Sequence, residues 1–324
     1  MVFAPLFKNT LFNLLLSYTL FLSTQVTAAE HIAPPTPSSI ENSDIERLLP
    51  NDEIKPILAG DTEFLSLYSE YMSADFRGVV LLIPDWQSTP TNNTGMSFLR
   101  KELNNLGYTT YAMTVPDIDW QAGKTPELTP ELTPAKAATD AQTEVATPTV
   151  PKEETTVESQ TTEIKKEVEP HHVNAIEKVT DEILDNYKIN LIARFNALYQ
   201  TAMEEPNNIV VIAQGTSAGV LIEYYADFPE ERVDAFISLS SYLPNTKRNE
   251  ELSQTTSLVT PALLDVYYAN DNTDILMNLK NRQRWVNRNA KFDYRQRLFF
   301  GLRDQPDQHA RLTKEIDGFL RRLF

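Results

Sequence analysis

Residues 215–219 read Gly-Thr-Ser-Ala-Gly, one residue after the apolar run Ile209-Val210-Val211-Ile212-Ala213. A serine between two glycines at a strand-to-helix turn matches G-x-S-x-G, where a sharp turn exposes the hydroxyl as a nucleophile. Such a serine needs a base to take its proton and a carboxylate to orient that base. Asp271 follows the apolar run Pro261–Ala269 and stands where the acid belongs, although in Asn270-Asp271-Asn272 it reads equally as a turn residue. The base should follow the run Leu298-Phe299-Phe300-Gly301-Leu302, yet no His comes directly after it. His309 is the one candidate, and at the start of the closing helix it reads equally as a solvated helix residue. Ser217, Asp271 and His309, with the Thr216 or Ala218 N–H as oxyanion donor, would make a serine esterase or acyl hydrolase.

The elements that must position these residues alternate. Gly78–Ile83 is a continuous apolar run, which suits a strand buried on both faces. Met96–Leu106 is amphipathic and stops at Gly107, and Tyr108–Val115 is the next strand. Helix Val173–Met203 precedes strand Ile209–Ala213 and helix 217–227. Strands Ala235–Leu239 and Ala262–Tyr268, helix 273–286, strand Arg297–Phe300 and helix Gln308–Leu323 complete the series. Repeated βα units of this length predict a doubly wound, mostly parallel sheet with helices on both faces. Residues 41–75 carry only short helical signals, Ile45, Leu48 and Leu49, then Phe64, Leu65, Leu67 and Tyr68.

Strand, elbow and helix together resemble the α/β-hydrolase superfamily, over roughly residues 76–120 and 173–324. There the unit commonly reads apolar strand, Gly-His-Ser-Met-Gly-Gly, then a helix ending Tyr-Ala…Pro. Laying Tyr225-Ala226 and Pro229 on that helix end places Gln214 on the His and Gly215 on the nucleophile. Ser217 then falls two residues late, in the first helical turn, where its hydroxyl can cap the helix. A nucleophile at the tip strains its backbone by about 1–3 kcal/mol, and glycine takes that conformation with little penalty. Gln214, Gly215 and Thr216 would then form an elbow without a nucleophile, against the alternative that Ser217 holds the tip. The loop Pro84-Asp85-Trp86-Gln87 would face it. Such a loop usually supplies an oxyanion N–H, whereas the Asp85 carboxylate opposes a developing anion and Trp86 is placed to wall a pocket or pack. Asp85-Trp86, Leu99-Arg100, Leu106-Gly107-Tyr108 and Gln214-Gly215-Thr216 are similar to an exported α/β-hydrolase-like family of unknown function from Gram-negative bacteria. That resemblance implies the fold and an exported address; Gly215 at the tip with no His directly after the last strand points to a binding or scaffold module with a degenerate site.

The chain has 324 residues, 29 Lys+Arg against 45 Asp+Glu, and a net charge of −16. Acidity of this size argues against nucleic-acid binding. Cysteine is absent, which excludes disulfides and thiolate metal sites. Three of the 4 His lie outside the predicted core, so no His-based metal centre and no cofactor is expected. Residues 1–29 read as an export signal, with Lys8, the apolar run Leu11–Leu22 and small residues before the cleavage point. Periplasmic location follows, with no stable membrane span after cleavage. Residues 30–42 read as a flexible tether and 43–324 as one domain, interrupted at 121–172. That stretch holds 11 Thr, 9 Glu and 6 Pro and no aromatic residue, so it reads as a disordered acidic insertion. Against this acidity, Lys280, Arg282, Arg284, Arg288, Lys291, Arg295, Arg297 and Arg303 share a stretch whose only acid is Asp293. Its readings are a site for an anionic envelope ligand, a clamp on the insertion, or a solvated helix face.

Overall fold

The computed structural model describes residues 36–118, 179–204, 208–230 and 233–324. The chain divides into two units between Leu49 and Pro50. The first holds helix α1, Pro37–Leu48, which begins inside the proline-bearing stretch read as a tether. Thr36 caps it by accepting from the Ser39 N–H, and Pro37 stands where no amide is needed. The stretches read as an export signal and an acidic insertion lie outside the described residues.

The second unit is an eight-stranded sheet. Its strands are β1 Ile54–Ala59, β2 Thr62–Ser69, β3 Gly78–Ile83, β4 Tyr108–Met113, β5 Ile209–Gln214, β6 Ala235–Leu239, β7 Ala262–Tyr268 and β8 Tyr294–Phe299, in spatial order β1-β2-β4-β3-β5-β6-β7-β8. From β4 to β8 every pair is parallel, and β3 and β5 are buried along their whole length. That burial is the reason both read as unbroken apolar runs. The helices are α2 Met96–Asn105, α3 Asp181–Ala202, α4 Gly215–Asp227, α5 Thr246–Thr255, α6 Thr273–Arg288 and α7 Pro306–Leu320. Helices α2 and α7 pack together, and α3 to α6 pack in succession, which gives the sheet its two helical layers. A core of Phe64, Leu81, Val211, Leu221, Tyr225 and Phe236 fills the space between sheet and helices.

Two expectations change. Phe64, Leu65, Leu67 and Tyr68 lie on strand β2, not on a helix. An antiparallel hairpin forms instead, with Ala59 opposite Thr62 and Gly60 at a φ of 62° in the two-residue turn. Glycine supplies the positive φ such turns require. The basic stretch is not one surface either. Arg282 is fully buried, because it falls on the helical stripe of Ile275, Asn278, Leu279 and Val286. Its guanidinium donates to the Asp265 carboxylate at 3.2 Å and to the Ser241 hydroxyl and carbonyl at 2.8 Å each. Asp265 also accepts from Tyr294 at 2.9 Å and Ser238 at 3.2 Å. Lys291 is tied to the Pro261 carbonyl and Asp293, and Arg297 to Glu315. As an anion site, the stretch therefore loses Arg282 and keeps Lys280, Arg284 and Arg288 exposed on α6.

A buried charge left without its partner is costlier than the pair is worth. Replacing Arg282 with Met should lower unfolding free energy by about 3–5 kcal/mol in urea titration. Adding Asp265→Leu should recover a large part of that loss; a double variant no better than the single one would refute the coupling.

Candidate functional site

Strand β5 ends at Gln214 and α4 begins at Gly215, with no loop between them. Gly215 carries a φ of 57°, the left-handed geometry of an elbow tip. The loop after β3 brings Asp85 directly over this glycine. A Cβ at position 215 would overlap the Asp85 carboxyl carbon and both of its oxygens. One carboxylate oxygen, Oδ1, accepts from the Thr216 N–H at 2.7 Å and from the Trp86 N–H at 2.9 Å. In an elbow of this architecture, the amide after the tip and an amide of the β3 loop hold the oxyanion. Here a side chain of the protein sits on that pair.

Charge placement around Asp85 follows from burial. Desolvation pushes its carboxyl up to about 6, while the Thr216 and Trp86 amides and the Arg303 charge pull it back. Tyr242 faces the same spot, its phenol raised by burial and by Asp85, with Thr216, Trp86 and Arg303 opposing. The loop is clamped from beneath. Asn92 donates to the Ser88 hydroxyl at 2.7 Å and to the Gln214 side-chain oxygen at 3.3 Å, and Gln214 donates to Thr94 at 2.9 Å. Gln214, read as the elbow residue before the tip, thus ties strand β5 to the Asp85 loop.

The three candidate triad residues are held by other partners. Ser217 is fully buried in the first turn of α4, and its hydroxyl lies 2.8 Å from the Tyr187 hydroxyl on α3. It does not cap the helix, since the cap residue is Gln214 and makes no side-chain capping bond. Asp271 accepts from the Tyr268 N–H at 2.8 Å, from the Ser240 hydroxyl, and from the Arg303 guanidinium. His309 is buried rather than solvated, because its ring stacks 5.3 Å from Phe98 and its Nε2 donates to the Arg303 carbonyl at 2.6 Å. It borders a cleft of about 430 Å³ lined also by Asn92, Phe98, Lys101 and Asp304. Among the described residues, no hydrogen bond joins any two of Ser217, Asp271 and His309.

Arg303, Tyr187, Ser240 and Tyr242 belong to this region and were missed as site residues. For Arg303 a signal existed, since it directly follows the run Leu298–Leu302, after which the base is expected. Tyr187 and Tyr242 reach the site through tertiary packing and carry no local motif.

The family model described as "Protein of unknown function (DUF3530)" matches residues 20–322, and the chain belongs to that family. No curated protein matches the sequence. Among solved structures, the fold is similar to Est1E from Butyrivibrio proteoclasticus, at a TM-score of 0.52 and 8% identity, covering 84% of this chain and 98% of that one. It is also similar to a dienelactone hydrolase from Anabaena variabilis, at 0.51 and 10%, covering 84% and 97%. A soluble variant of monoglyceride lipase from Saccharomyces cerevisiae matches at 0.50 and 9%, covering 83% and 94%. At these identities the likeness establishes the α/β-hydrolase fold.

The raised Asp85 carboxyl has a measurable sign. The folded state binds its proton more tightly than the unfolded chain, whose value is 3.8, so this group's contribution to stability falls as pH rises from about 4 to about 6. Asn at position 85 still offers an oxygen to both amides and carries no charge. Asp85→Asn should therefore gain on wild type by about 2–3 kcal/mol between pH 4 and pH 7 in parallel denaturant titrations. A difference constant with pH would show that this carboxyl titrates normally.

Proposed function

We propose that this chain is a non-hydrolytic α/β-hydrolase-fold protein of the periplasm, acting as a binding or scaffold module. The observation that carries the reading is the Asp85 carboxylate on the Thr216 and Trp86 amides, over Gly215. A substrate carbonyl needs those amides free, and a nucleophile needs the volume that the carboxylate fills. The base is the second missing part. Arg303 holds Asp271, and a guanidinium stays protonated at any physiological pH and cannot accept the proton of a serine. Under this reading Trp86 and Tyr242 are the groups left to meet a ligand at the mouth of the elbow. Periplasmic location rests on the export signal read in residues 1–29. No helix of the described residues is long and apolar enough to cross a membrane.

The competing reading, an esterase using Ser217, Asp271 and His309, makes the opposite prediction with an active-site probe. A fluorophosphonate should leave the purified protein unlabelled, and Gly215→Ser should stay unlabelled because its side chain meets Asp85. Labelling of the wild type that disappears in Ser217→Ala would establish the esterase. For the address, intact mass of protein recovered from the periplasm should correspond to a chain starting at Glu30; an uncleaved N-terminus would point to a membrane-tethered protein instead.

A further inference from the structure

Helix α6 sorts its residues by angle. The inward stripe is Ile275, Asn278, Leu279, Arg282 and Val286, all buried. Directly opposite, at helical spacing, stand Met277, Lys280, Arg284 and Arg288, all exposed. Three cations thus follow one another along a stripe of roughly 12 Å, the rise of eight residues. In a chain of net charge −16, this face is set apart by sign. Arg284 bonds only the neutral Asn281, Arg288 lies 5.0 Å over the Trp285 ring, and no carboxylate pairs with any of the three among the described residues. The stripe is bracketed by apolar side chains in water, Met277 at 69% exposure and Phe292, just past the helix, at 95%.

We propose that the outward face of α6 docks on an anionic lipid surface, with Lys280, Arg284 and Arg288 on headgroups and Phe292 and Met277 entering the acyl boundary. Charge complementarity selects an anionic partner. The two apolar tips select a bilayer over a soluble polyanion, which would leave them in water. The acidic remainder of the chain is repelled by such a surface, so only this orientation brings the cations within a Debye length of about 8 Å at physiological salt. The inference stands apart from the elbow and holds whether or not that site is catalytic.

The test compares the full chain with the Lys280→Gln/Arg284→Gln/Arg288→Gln variant on vesicles of phosphatidylglycerol and phosphatidylcholine. Both proteins carry the same N-terminal apolar run, so their difference isolates α6. At an anionic surface each cation contributes about fivefold, so the triple variant should partition roughly a hundredfold more weakly into phosphatidylglycerol vesicles. The gap should close in high salt and be absent on phosphatidylcholine. Phe292→Ser should weaken binding while keeping its salt dependence. Hydrogen exchange should show vesicle-dependent protection in residues 277–292. All four substituted side chains are exposed, and unchanged melting curves would verify the folds. Equal partitioning of wild type and triple variant would overturn the proposal. So would binding to heparin that matches vesicle binding and ignores Phe292→Ser.

Discussion

One carboxylate on two backbone amides organises the centre of this protein. The Asp85 side chain spans from the end of β3 to the start of α4 and accepts from an amide on each side. A helix N-terminus presents unpaired N–H groups and a positive potential, so an anion there is favoured. These donors hold the carboxyl at about 6 despite its burial. The contact also dictates its neighbour. Position 215 favours glycine twice over, for its φ of 57° and because any side chain would collide with Asp85. Tip residue and loop acid are therefore one unit.

The second acid of the site is satisfied by the same logic. Asp271 keeps the place after β7 where an orienting carboxylate belongs, and it is fixed by Ser240, the Tyr268 amide and Arg303. Its charged partner is a guanidinium. A neutral imidazole would shuttle a proton between acid and substrate, whereas an arginine holds a fixed charge. Arg303 also offsets Asp85, whose titration it lowers, and lies 5.6 Å from the Tyr268 ring. One cation thus serves both carboxylates, which couples the loop after β3 to the loops after β7 and β8. An arrangement of this kind is complete without a substrate, and it fits a protein whose elbow carries structure.

Legibility in the sequence followed the range of the interactions. The parallel strands could be read because burial on both faces leaves unbroken apolar runs such as Gly78–Ile83. The β1–β2 hairpin was not read, because Phe64, Leu65 and Leu67 are interleaved in a way that also suits a helix; its one local mark is Gly60 at the turn. In the elbow, the turn register and the facing of Asp85 toward Gly215 followed from strand end and loop order. Charge pairing was opaque. Arg282 stands in a run of basic residues that reads as a solvated face, and only its helical angle carries it into the core with Asp265. His309 likewise reads as a surface residue until Phe98 packs on it. Such pairs join positions far apart in the chain and leave no periodicity behind.

This division between inward and outward charge explains how one basic stretch yields two unlike roles. Arg282, Arg303 and Lys291 each answer an acid or carbonyl that the fold presents to them. Buried cations can persist only in that way, since desolvation disfavours an unpaired charge. Lys280, Arg284 and Arg288 lie on the opposite side of α6, remain in water and are free to meet an external partner. A helix of period 3.6 placed on the flank of a sheet makes the choice between these roles by angle alone. The local excess of basic residues therefore measures two things at once, the acids that the core must neutralise and the surface the molecule leaves available. Only the second set is open to selection for binding without loss of the fold, because substituting it disturbs no internal ion pair.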